Sequence, residues 1–339
     1  RIPVWYSPSG EMKASIANPS TANEQWIQDE DVLDTWFSSW LWPFSTLGYP
    51  ENSEDLKYFY PTDVLVTGAD IIFFWVARMI MAGNEFMGDI PFKHVYFNGL
   101  VRDAQGRKMS KTLGNGIDPL DMIEKFSTDS VRYTVVHLSS MGQDIKLSEK
   151  DFETGRNFSN KIWNSFRFLA MNLPENYPSI EPYRNHFELA DEWILSRLQF
   201  CISETASHLE KFRFQDAQAT VYTFIWNEYC DWYLELIKER LYKPERTADK
   251  ETALAVASYG LKTAMELLHP FMPFITEEIW QHFRTESDAE SIMLQDFPLA
   301  NANDRKLIAE QQMQLIQDSI SAIRNVRAEM NISPKNEAT

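Results

Sequence analysis

The spacing of apolar and polar positions separates the chain into a first part with strands and a second part that is helical almost throughout. Three short runs rich in β-branched and aromatic residues predict strands, at residues 2–6, 64–67 and 94–101. Between the second and the third run, apolar residues at helical spacing predict a helix from Ile71 to Phe86. Because the pattern turns helical after Asp118, the sequence predicts an α/β fold followed by an all-α bundle.

Long amphipathic helices are predicted in the second part. Their bounds are residues 152–172, 190–211, 214–242, 250–268, 273–283 and 305–330. The spacing of Ser148 and Asp151 resembles a capping box, with Asp in place of Glu, before the first of them. Residues 174–182 contain three prolines and are predicted to be a linker. We therefore expect three regions, at residues 1–117, 118–175 and 176–339.

Composition limits the classes of function. The formal net charge is −17, so the sequence does not indicate a protein that binds nucleic acid through one broad basic face. Cys201 and Cys230 lack the spacing of metal ligands, which predicts buried thiols, no structural metal and a reducing compartment. No run approaches the ~20 apolar residues that span a bilayer, so we expect no membrane contact and a cytoplasmic location.

A basic loop at residues 106–116 carries the clearest candidate chemistry. Arg107, Lys108 and Lys111 lie within five residues, flanked by glycines that permit strained turns. Lysine ammonium groups can follow phosphate oxygens as charge builds on a leaving pyrophosphate. Such a loop is, taken alone, also typical of a solvated turn. Here it lies between a predicted strand and a predicted helix start at Asp118, which is the layout of a nucleotide site.

The end of the predicted strand 64–67 holds a second candidate site. Gly68 and Asp70 follow this strand, where a glycine and an acid can approach and hydrogen-bond a ribose. Ile71 and Trp75 are four residues apart and share one helix face. With Trp36 they would bound a slot for a short branched aliphatic side chain, although core packing is the plainer interpretation of such residues.

A third candidate site combines cations and aromatic rings in the predicted helix 152–172. Arg156, Lys161 and Arg167 would bind RNA phosphates, and Phe168 would stack on an unpaired base. The apolar stripe of the same helix is most simply explained as core. This site alone would also suit a non-catalytic RNA-binding module.

Several motifs in order resemble one enzyme family. Lys108-Met109-Ser110-Lys111-Thr112 resembles the second signature loop of class I aminoacyl-tRNA synthetases, with Thr112 in place of the more usual serine. The runs 34–44, 67–79 and 97–103 resemble the valyl-tRNA synthetase family. The isoleucyl pattern differs, because it carries Asp-Gln-His in the second run and lacks Trp-Pro-Phe in the first.

The resemblance implies a fold, an activity and a set of site residues. The fold would be the distal half of a Rossmann-type parallel sheet followed by a helical anticodon-binding domain. Family members join valine to ATP, with Mg²⁺ accompanying the ATP, release pyrophosphate, and transfer valine to tRNA(Val). The implied residues are Lys108 and Lys111 for catalysis; Gly68, Asp70, Asn98, Gly99, Met109, Ser110 and Lys111 for ATP; Trp36, Ile71 and Trp75 for valine; and Arg156, Lys161, Arg167 and Phe168 for tRNA.

The resemblance also implies that the sequence is a piece of a longer protein, which we expect to be a monomer. The family's earlier His-Ile-Gly-His motif does not occur in the sequence. We expect three or four parallel strands, and a chain that binds tRNA without activating valine by itself. Isoleucine–tRNA ligase is the second choice within the class. A non-catalytic tRNA-binding module and a helical scaffold are the alternatives from other classes.

Overall fold

The computed structural model describes residues 3–32, 35–110, 112–140, 142–174, 179–242 and 247–333. The chain forms two compact units: unit 1 contains residues 1–100 and 141–144, and unit 2 contains residues 101–140 and 145–339. Strands in the described residues are β1 (Pro3–Tyr6), β2 (Met12–Ala14), β3 (Ile27–Val32), β4 (Thr62–Gly68), β5 (Phe92–Asn98), β6 (Val101–Arg102) and β7 (Ile145–Lys146).

The α-helices of unit 1 are short. They are α1 (Thr35–Ser39), α2 (Trp42–Ser45), α3 (Glu54–Phe59) and α4 (Ala77–Ala82). The α-helices of unit 2 are α5 (Pro119–Phe126), α6 (Thr128–Leu138), α7 (Phe152–Ala170), α8 (Leu189–Glu210), α9 (Phe214–Thr223), α10 (Leu234–Leu236), α11 (Lys238–Leu241), α12 (Ala248–Leu268), α13 (Pro273–Gln281) and α14 (Leu307–Glu329).

Unit 1 begins with an antiparallel sheet of strand order β2-β1-β3. The predicted strand at residues 2–6 is confirmed as β1, and the turn after it contains Gly10 at φ +87°. Sequence reasoning missed β2 and β3. Their described side chains are exposed or half-buried, so these strands lack the alternation of buried and exposed positions that reveals a strand.

A parallel pair of strands, β4 and β5, forms the second sheet of unit 1, with Gly68 opposite Asn98. The described residues contain four strands in parallel pairing, as expected, but these strands form two separate pairs, β4-β5 and β6-β7, and not one sheet. The predicted strand 94–101 is interrupted after Asn98, and its last part becomes β6, which pairs in parallel with β7 of unit 2. Gly99 causes the interruption by approaching another backbone segment closely, as described below.

The predicted helix 71–86 is helical but not a regular α-helix. A 3₁₀ turn (Ala69–Ile71) leads into a π-helical segment (Ile72–Val76), then α4, then a second π-helical segment (Gly83–Met87). Val76 and Met79 from this helix pack with Leu65 of β4 and Phe92 of β5 in a small core. π-Helical turns inside helices often occur at functional sites because they change the direction of neighbouring side chains.

The first helices of unit 2 begin at side chains that cap them. Asp118 accepts a hydrogen bond from the backbone of Leu120 at 2.8 Å, and Pro119 is the first residue of α5. Ser127 caps α6 in the same way. The capping box of Ser148 and Asp151 is confirmed, although a 3₁₀ turn precedes α7.

The remaining helices form a bundle around one large core, as predicted. The observed bounds of α8, α12 and α14 lie within two residues of the predicted ones. Fully buried side chains in this core include Leu198, Tyr233 and Trp280. The predicted helix 214–242 is divided, because α9 continues as a π-helical segment (Phe224–Tyr233) before α10 and α11.

Cys201 and Cys230 are buried, free thiols, in agreement with the prediction. Burial raises the pKa of Cys201 to about 12 and that of Cys230 to about 11. Of the predicted linker, residues 175–178 lie outside the described residues, and Glu181–His186 form a 3₁₀ helix. Within the described ranges, no helix has the length and apolar character required to cross a membrane.

Candidate functional site

In unit 1, four of the predicted ATP-binding residues lie at or next to the carboxyl ends of two neighbouring parallel strands. Gly68 ends β4 and is paired in register with Asn98, which ends β5. A Cβ atom on residue 68 would lie 2.6 Å from Oδ1 of Asp70, so glycine permits this carboxylate to turn back over the strand end. The structure therefore brings Gly68, Asp70, Asn98 and Gly99 together at the edge where α/β sheets bind ligands.

Gly99 is in contact with the backbone of residues 143–144. A Cβ atom at this position would lie 1.8 Å from the carbonyl oxygen of Gln143, which leaves no space for a side chain. The next residue, Leu100, donates its backbone N–H to Oδ1 of Asp144 at 3.0 Å. The side chain of Asn98 donates to the carbonyl of Gly99 at 3.1 Å. This segment is thus fixed by distant backbone as well as by β5.

The predicted valine-binding residues are held by different aromatic neighbours. Trp36 of α1 has its ring centroid 5.8 Å from that of Phe74, while the ring of Trp75 lies 5.8 Å from that of Trp42. Nε1 of Trp75 also donates a hydrogen bond to the carbonyl of Ser39 at 3.1 Å. Sequence reasoning missed Phe74 and Trp42 as neighbours of the predicted slot, because nothing in their local sequence distinguishes them from the other aromatic residues nearby.

Ile71 is half-buried at the junction between the 3₁₀ turn and the first π-helical segment. Its backbone φ and ψ of −112° and 20° are not helical, so the direction of the following side chains is set at this residue. The sequence predicted that Ile71 and Trp75, four residues apart, share one face of a regular α-helix. A wider, π-helical turn separates them instead.

In unit 2, the basic loop begins as a small hairpin. Arg102 forms an antiparallel bridge with Lys108, and Met109 donates its N–H to the carbonyl of Val101 at 3.2 Å. The turn contains Gly106 at φ +82°, a conformation that suits glycine. The side chain of Met109 packs against the apolar cluster around Met122 and Phe152. Lys111, the second predicted catalytic lysine, lies outside the described residues.

One of the three cations in this loop is balanced by a carboxylate just before the loop. The Arg107 guanidinium pairs with the carboxylate of Asp103 at 2.7 Å. The pKa of Asp103 is lowered to about 2, first by a hydrogen bond from the Asn115 side chain and also by hydrogen bonds from Arg107 and its charge. Sequence reasoning counted the positive charges of this loop and missed Asp103 and Asn115. The predicted ATP-binding residue Ser110 uses its hydroxyl to accept a hydrogen bond from the Leu113 backbone at 3.2 Å.

A groove of about 560 Å³ in unit 2 contains two of the four predicted tRNA-binding residues. Its lining residues are Asn157, Asn160, Lys161, Asn164, Ser165, Phe168, Cys230, Asp231, Leu234, Glu235 and Lys238. The Lys161 ammonium pairs with Asp231 and lies 4.0 Å from the centroid of the Trp226 ring. Phe168 is half-buried, with the Lys238 ammonium 5.9 Å from its ring centroid.

Three asparagines of α7 lie along one side of this groove, at positions 157, 160 and 164. Their spacing places them on one face of the helix. A side-chain amide both donates and accepts hydrogen bonds, which suits the edges of an unpaired base. The other two predicted residues, Arg156 and Arg167, are exposed on α7, and the Arg156 guanidinium lies 5.7 Å from the ring of Phe126.

The described part of the chain contains no group of three or more His, Cys, Asp or Glu side chains arranged to hold a metal ion.

Two family models match this sequence. Residues 8–148 match the model of class I tRNA synthetases (I, L, M and V), and residues 191–339 match the model of the anticodon-binding domain of tRNA ligases. The first match contains the predicted ATP-binding and valine-binding residues, and the second contains α9 to α14 and the π-helical side of the groove.

Relatives and solved structures are similar over most of the chain. A valine–tRNA ligase of Clostridium acetobutylicum is 49% identical, covering 100% of this chain and 39% of the relative. That of Listeria innocua is also 49% identical, covering 98% and 37%. This chain therefore spans about two fifths of the length of these relatives.

Among solved structures, the ternary LeuRS–tRNA–LeuAMS complex from Agrobacterium radiobacter has a TM-score of 0.66 at 20% identity, covering 89% of this chain and 38% of that one. Methionyl-tRNA synthetase of Mycobacterium tuberculosis in complex with methionyl-adenylate has a TM-score of 0.62 at 22% identity, covering 77% and 50%. At these sequence identities, the two similarities show a shared fold alone.

Proposed function

Because this chain belongs to the class I aminoacyl-tRNA synthetases, we propose that it is part of a valine–tRNA ligase. The intact enzyme would join valine to ATP, release pyrophosphate, and transfer valine to tRNA(Val). The observation that carries this proposal is the 49% identity to a valine–tRNA ligase along the whole of this chain. The same relatives favour valine over isoleucine as the amino acid.

In unit 1, we assign the ribose of ATP to Gly68 and Asp70 and the adenine to Asn98 and Gly99. Their position at the carboxyl ends of two adjacent parallel strands supports the assignment, because backbone there can approach a nucleotide closely. Trp36, Ile71 and Trp75 would bind the valine side chain. Aromatic and aliphatic walls select a small apolar group by its shape and by the exclusion of water.

In unit 2, we assign the phosphates of ATP to the loop containing Lys108, Met109, Ser110 and Lys111. The two lysines would stabilise the charge that develops on the pyrophosphate, and Mg²⁺ would enter as part of the ATP complex. Arg107 is a poor candidate for this role because its charge is already balanced by Asp103.

The groove between α7 and the π-helical segment Phe224–Tyr233 is the proposed contact for tRNA. Phe168 offers a ring for stacking and the asparagine row offers polar groups to a base edge. Arg156, Lys161 and Arg167 would contact phosphates.

We further propose that the intact protein is a cytoplasmic monomer, and that this part of it has regions at residues 1–117, 118–175 and 176–339. Light scattering of the intact protein tests the oligomeric state.

The proposal is tested by equilibrium binding of this chain to valine tRNA and to isoleucine tRNA across a range of salt concentrations. Tighter binding of valine tRNA is expected at every salt concentration, with few phosphate contacts and hence a shallow salt dependence. Equal and steeply salt-dependent binding of both RNAs would contradict the valine assignment. Absence of RNA binding would favour the helical scaffold instead.

Two substitutions in the proposed tRNA contact separate stacking from phosphate binding. Phe168→Ala should weaken binding of valine tRNA by roughly tenfold, since loss of one stacked base costs about 1–3 kcal/mol. Arg167→Ala should weaken it while reducing the slope of log affinity against log salt by about one. Arg213→Ala is the matched control, because Arg213 is an exposed arginine of unit 2, paired with Asp216 and outside the groove.

We expect this chain alone to show no valine-dependent exchange of pyrophosphate into ATP.

A further inference from the structure

Asp103 is a buried carboxylate at the base of the basic loop in unit 2, and only 6% of its surface is exposed. Its Oδ1 atom accepts hydrogen bonds from the backbone N–H groups of Gln105 at 3.1 Å and Arg107 at 2.8 Å. Its Oδ2 atom accepts from Nε of Arg107 at 2.7 Å and from Nδ2 of Asn115 at 2.9 Å. Both oxygens are therefore satisfied by residues of the loop and by Gln105, which immediately precedes it.

Asn115 connects this carboxylate to the other end of the loop. Its Oδ1 atom accepts a hydrogen bond from the backbone N–H of Ser110 at 3.0 Å. Its Nδ2 atom donates to Asp103 and makes a longer contact of 3.4 Å with the carbonyl oxygen of Lys108. One side chain thus links the carboxylate of Asp103 to the backbone on both sides of Met109.

The arrangement fixes backbone rather than side chains. Lys108 carries one of the two ammonium groups assigned to the phosphates, and Ser110 precedes in sequence Lys111, which carries the other. A loop that is already ordered loses less conformational entropy when it binds a polyphosphate, and its charges need less reorganisation as the transition state forms. Small displacements of such groups reduce reaction rates strongly.

We propose that Asp103 and Asn115 are positioning residues for the activation of the amino acid, which act by holding the backbone of Lys108 and Ser110. This inference rests on the proposed function. Neither residue would touch ATP. Their removal should reduce the rate of adenylate formation while leaving the binding of the amino acid unchanged, because they act through the loop alone.

The test uses the complete ligase that contains this sequence, with the substitutions Asn115→Ala and Asn115→Asp. Both should lower kcat of valine-dependent ATP–pyrophosphate exchange by about 10- to 100-fold, with KM for valine unchanged. Asn301→Asp is a matched control, because Asn301 also joins a backbone N–H to an aspartate: its Oδ1 accepts from Asn303 and its Nδ2 donates to Asp304, each at 3.1 Å. This control should retain wild-type kcat.

The pH profile distinguishes positioning from a general loss of structure. In the Asn115→Asp variant a second carboxylate faces Asp103, with Arg107 as the neighbouring cation. Two carboxylates within hydrogen-bond distance repel each other when both are charged, so the pKa of one of them rises. The protonated form can again donate a hydrogen bond to Asp103. The defect of Asn115→Asp should therefore shrink as pH falls from 8 towards 5.5, whereas that of Asn115→Ala should be constant.

Hydrogen exchange provides a readout that does not depend on activity. The backbone amide of Ser110 should exchange faster in Asn115→Ala than in the unchanged protein, with equal thermal midpoints for the two. Faster hydrogen exchange at Ser110 combined with kcat within twofold of wild type would overturn the proposal. The backbone of the loop would then be less firmly held while the rate of activation stayed the same. Unchanged exchange at Ser110 would also overturn it. If the unchanged ligase showed exchange of pyrophosphate with another amino acid and not with valine, the proposed function would fail while this inference could still be measured with that amino acid.

Discussion

At the scale of single residues, the site contains positions where one additional carbon atom would displace the backbone. Gly99 is such a position, because the carbonyl of Gln143 occupies the space of a Cβ atom. Its local sequence predicted that it lies within a strand, at residues 94–101. The constraint on it comes from a segment more than 40 residues away, and no local pattern reports such a contact.

Gly99→Ala should displace the backbone at residues 98–100 and lower the free energy of unfolding by about 1–3 kcal/mol, as expected for overpacking. Hydrogen exchange at Leu100, whose amide donates to Asp144, should become faster. Gly116→Ala is the control, since a Cβ at position 116 has no neighbour within 4 Å. Equal stability of both variants, measured by urea unfolding, would contradict the expected clash.

The basic loop shows the same limit of sequence reasoning at another residue. The excess of positive charge and the flanking glycines correctly indicated an irregular basic loop. They did not indicate that Arg107 is paired with Asp103, because the sequence gives the charges but not their distances. The roles of Lys108 and Lys111 in catalysis accordingly stay predictions.

At the scale of elements, the long helices that pack in the continuous core of the bundle were predicted well. The bounds of α8 and α12 lie within two residues of the predicted ones, and α12 is buried on all sides, since every side chain from Thr252 to Ser258 is buried. The π-helical segments were missed. A π-helical turn is stabilised by packing and by hydrogen bonds between residues five apart, and a mixed apolar sequence fits both helix types.

Three elements of unit 2 are joined by one buried arginine. Arg240 of α11 donates to Asp191 of α8 at 2.8 Å and to the carbonyl of Asp249 in α12 at 3.1 Å. Asp191 has no exposed surface and also accepts a hydrogen bond from Tyr233 at 2.7 Å. These contacts fix the position of α11 relative to the two long helices.

Arg240→Met should lower the free energy of unfolding by about 3–5 kcal/mol, because it leaves the Asp191 carboxylate buried without its counter-charge. Arg184→Met provides the comparison. Arg184 pairs with Glu181 at the surface, and such pairs contribute about 0–1 kcal/mol. Urea unfolding of the two variants measures the difference, and equal losses would show that the buried pair is no more important than the exposed one.

At the scale of the whole molecule, the change from strands to helices was predictable because the hydrophobic period changes after residue 118. The number of strands in each parallel sheet was not predictable from the sequence, because the pairing partners of a strand are set by contacts with residues that are distant in sequence. The two units also differ in their cores. Among the described residues, unit 2 has one large core with fully buried aromatic residues and a small cluster around Met122, whereas unit 1 has small clusters alone, around Met79 and around Phe44.

Native-state hydrogen exchange should reflect this difference between the units. Amides in the middle of α12, where most side chains are buried, should be the slowest to exchange. Amides of β4 should exchange at least tenfold faster, because Val64 and Val66 leave one face of that strand exposed. Equal protection of α12 and β4, measured on the same sample, would contradict this ranking.

The π-helical segment Phe224–Tyr233 has an evolutionary consequence. A π-helical turn contains more residues than an α-helical turn, so the segment amounts to an insertion that the chain absorbs without breaking the helix. Because the π-helical turn takes up the added residue, deletion of one residue there would restore α-helical pitch and leave the side chains that follow, Lys238 among them, in nearly the same direction. The chain can therefore gain or lose a single residue in this helix among descendants of the same ancestor while that wall of the groove keeps its composition and its direction.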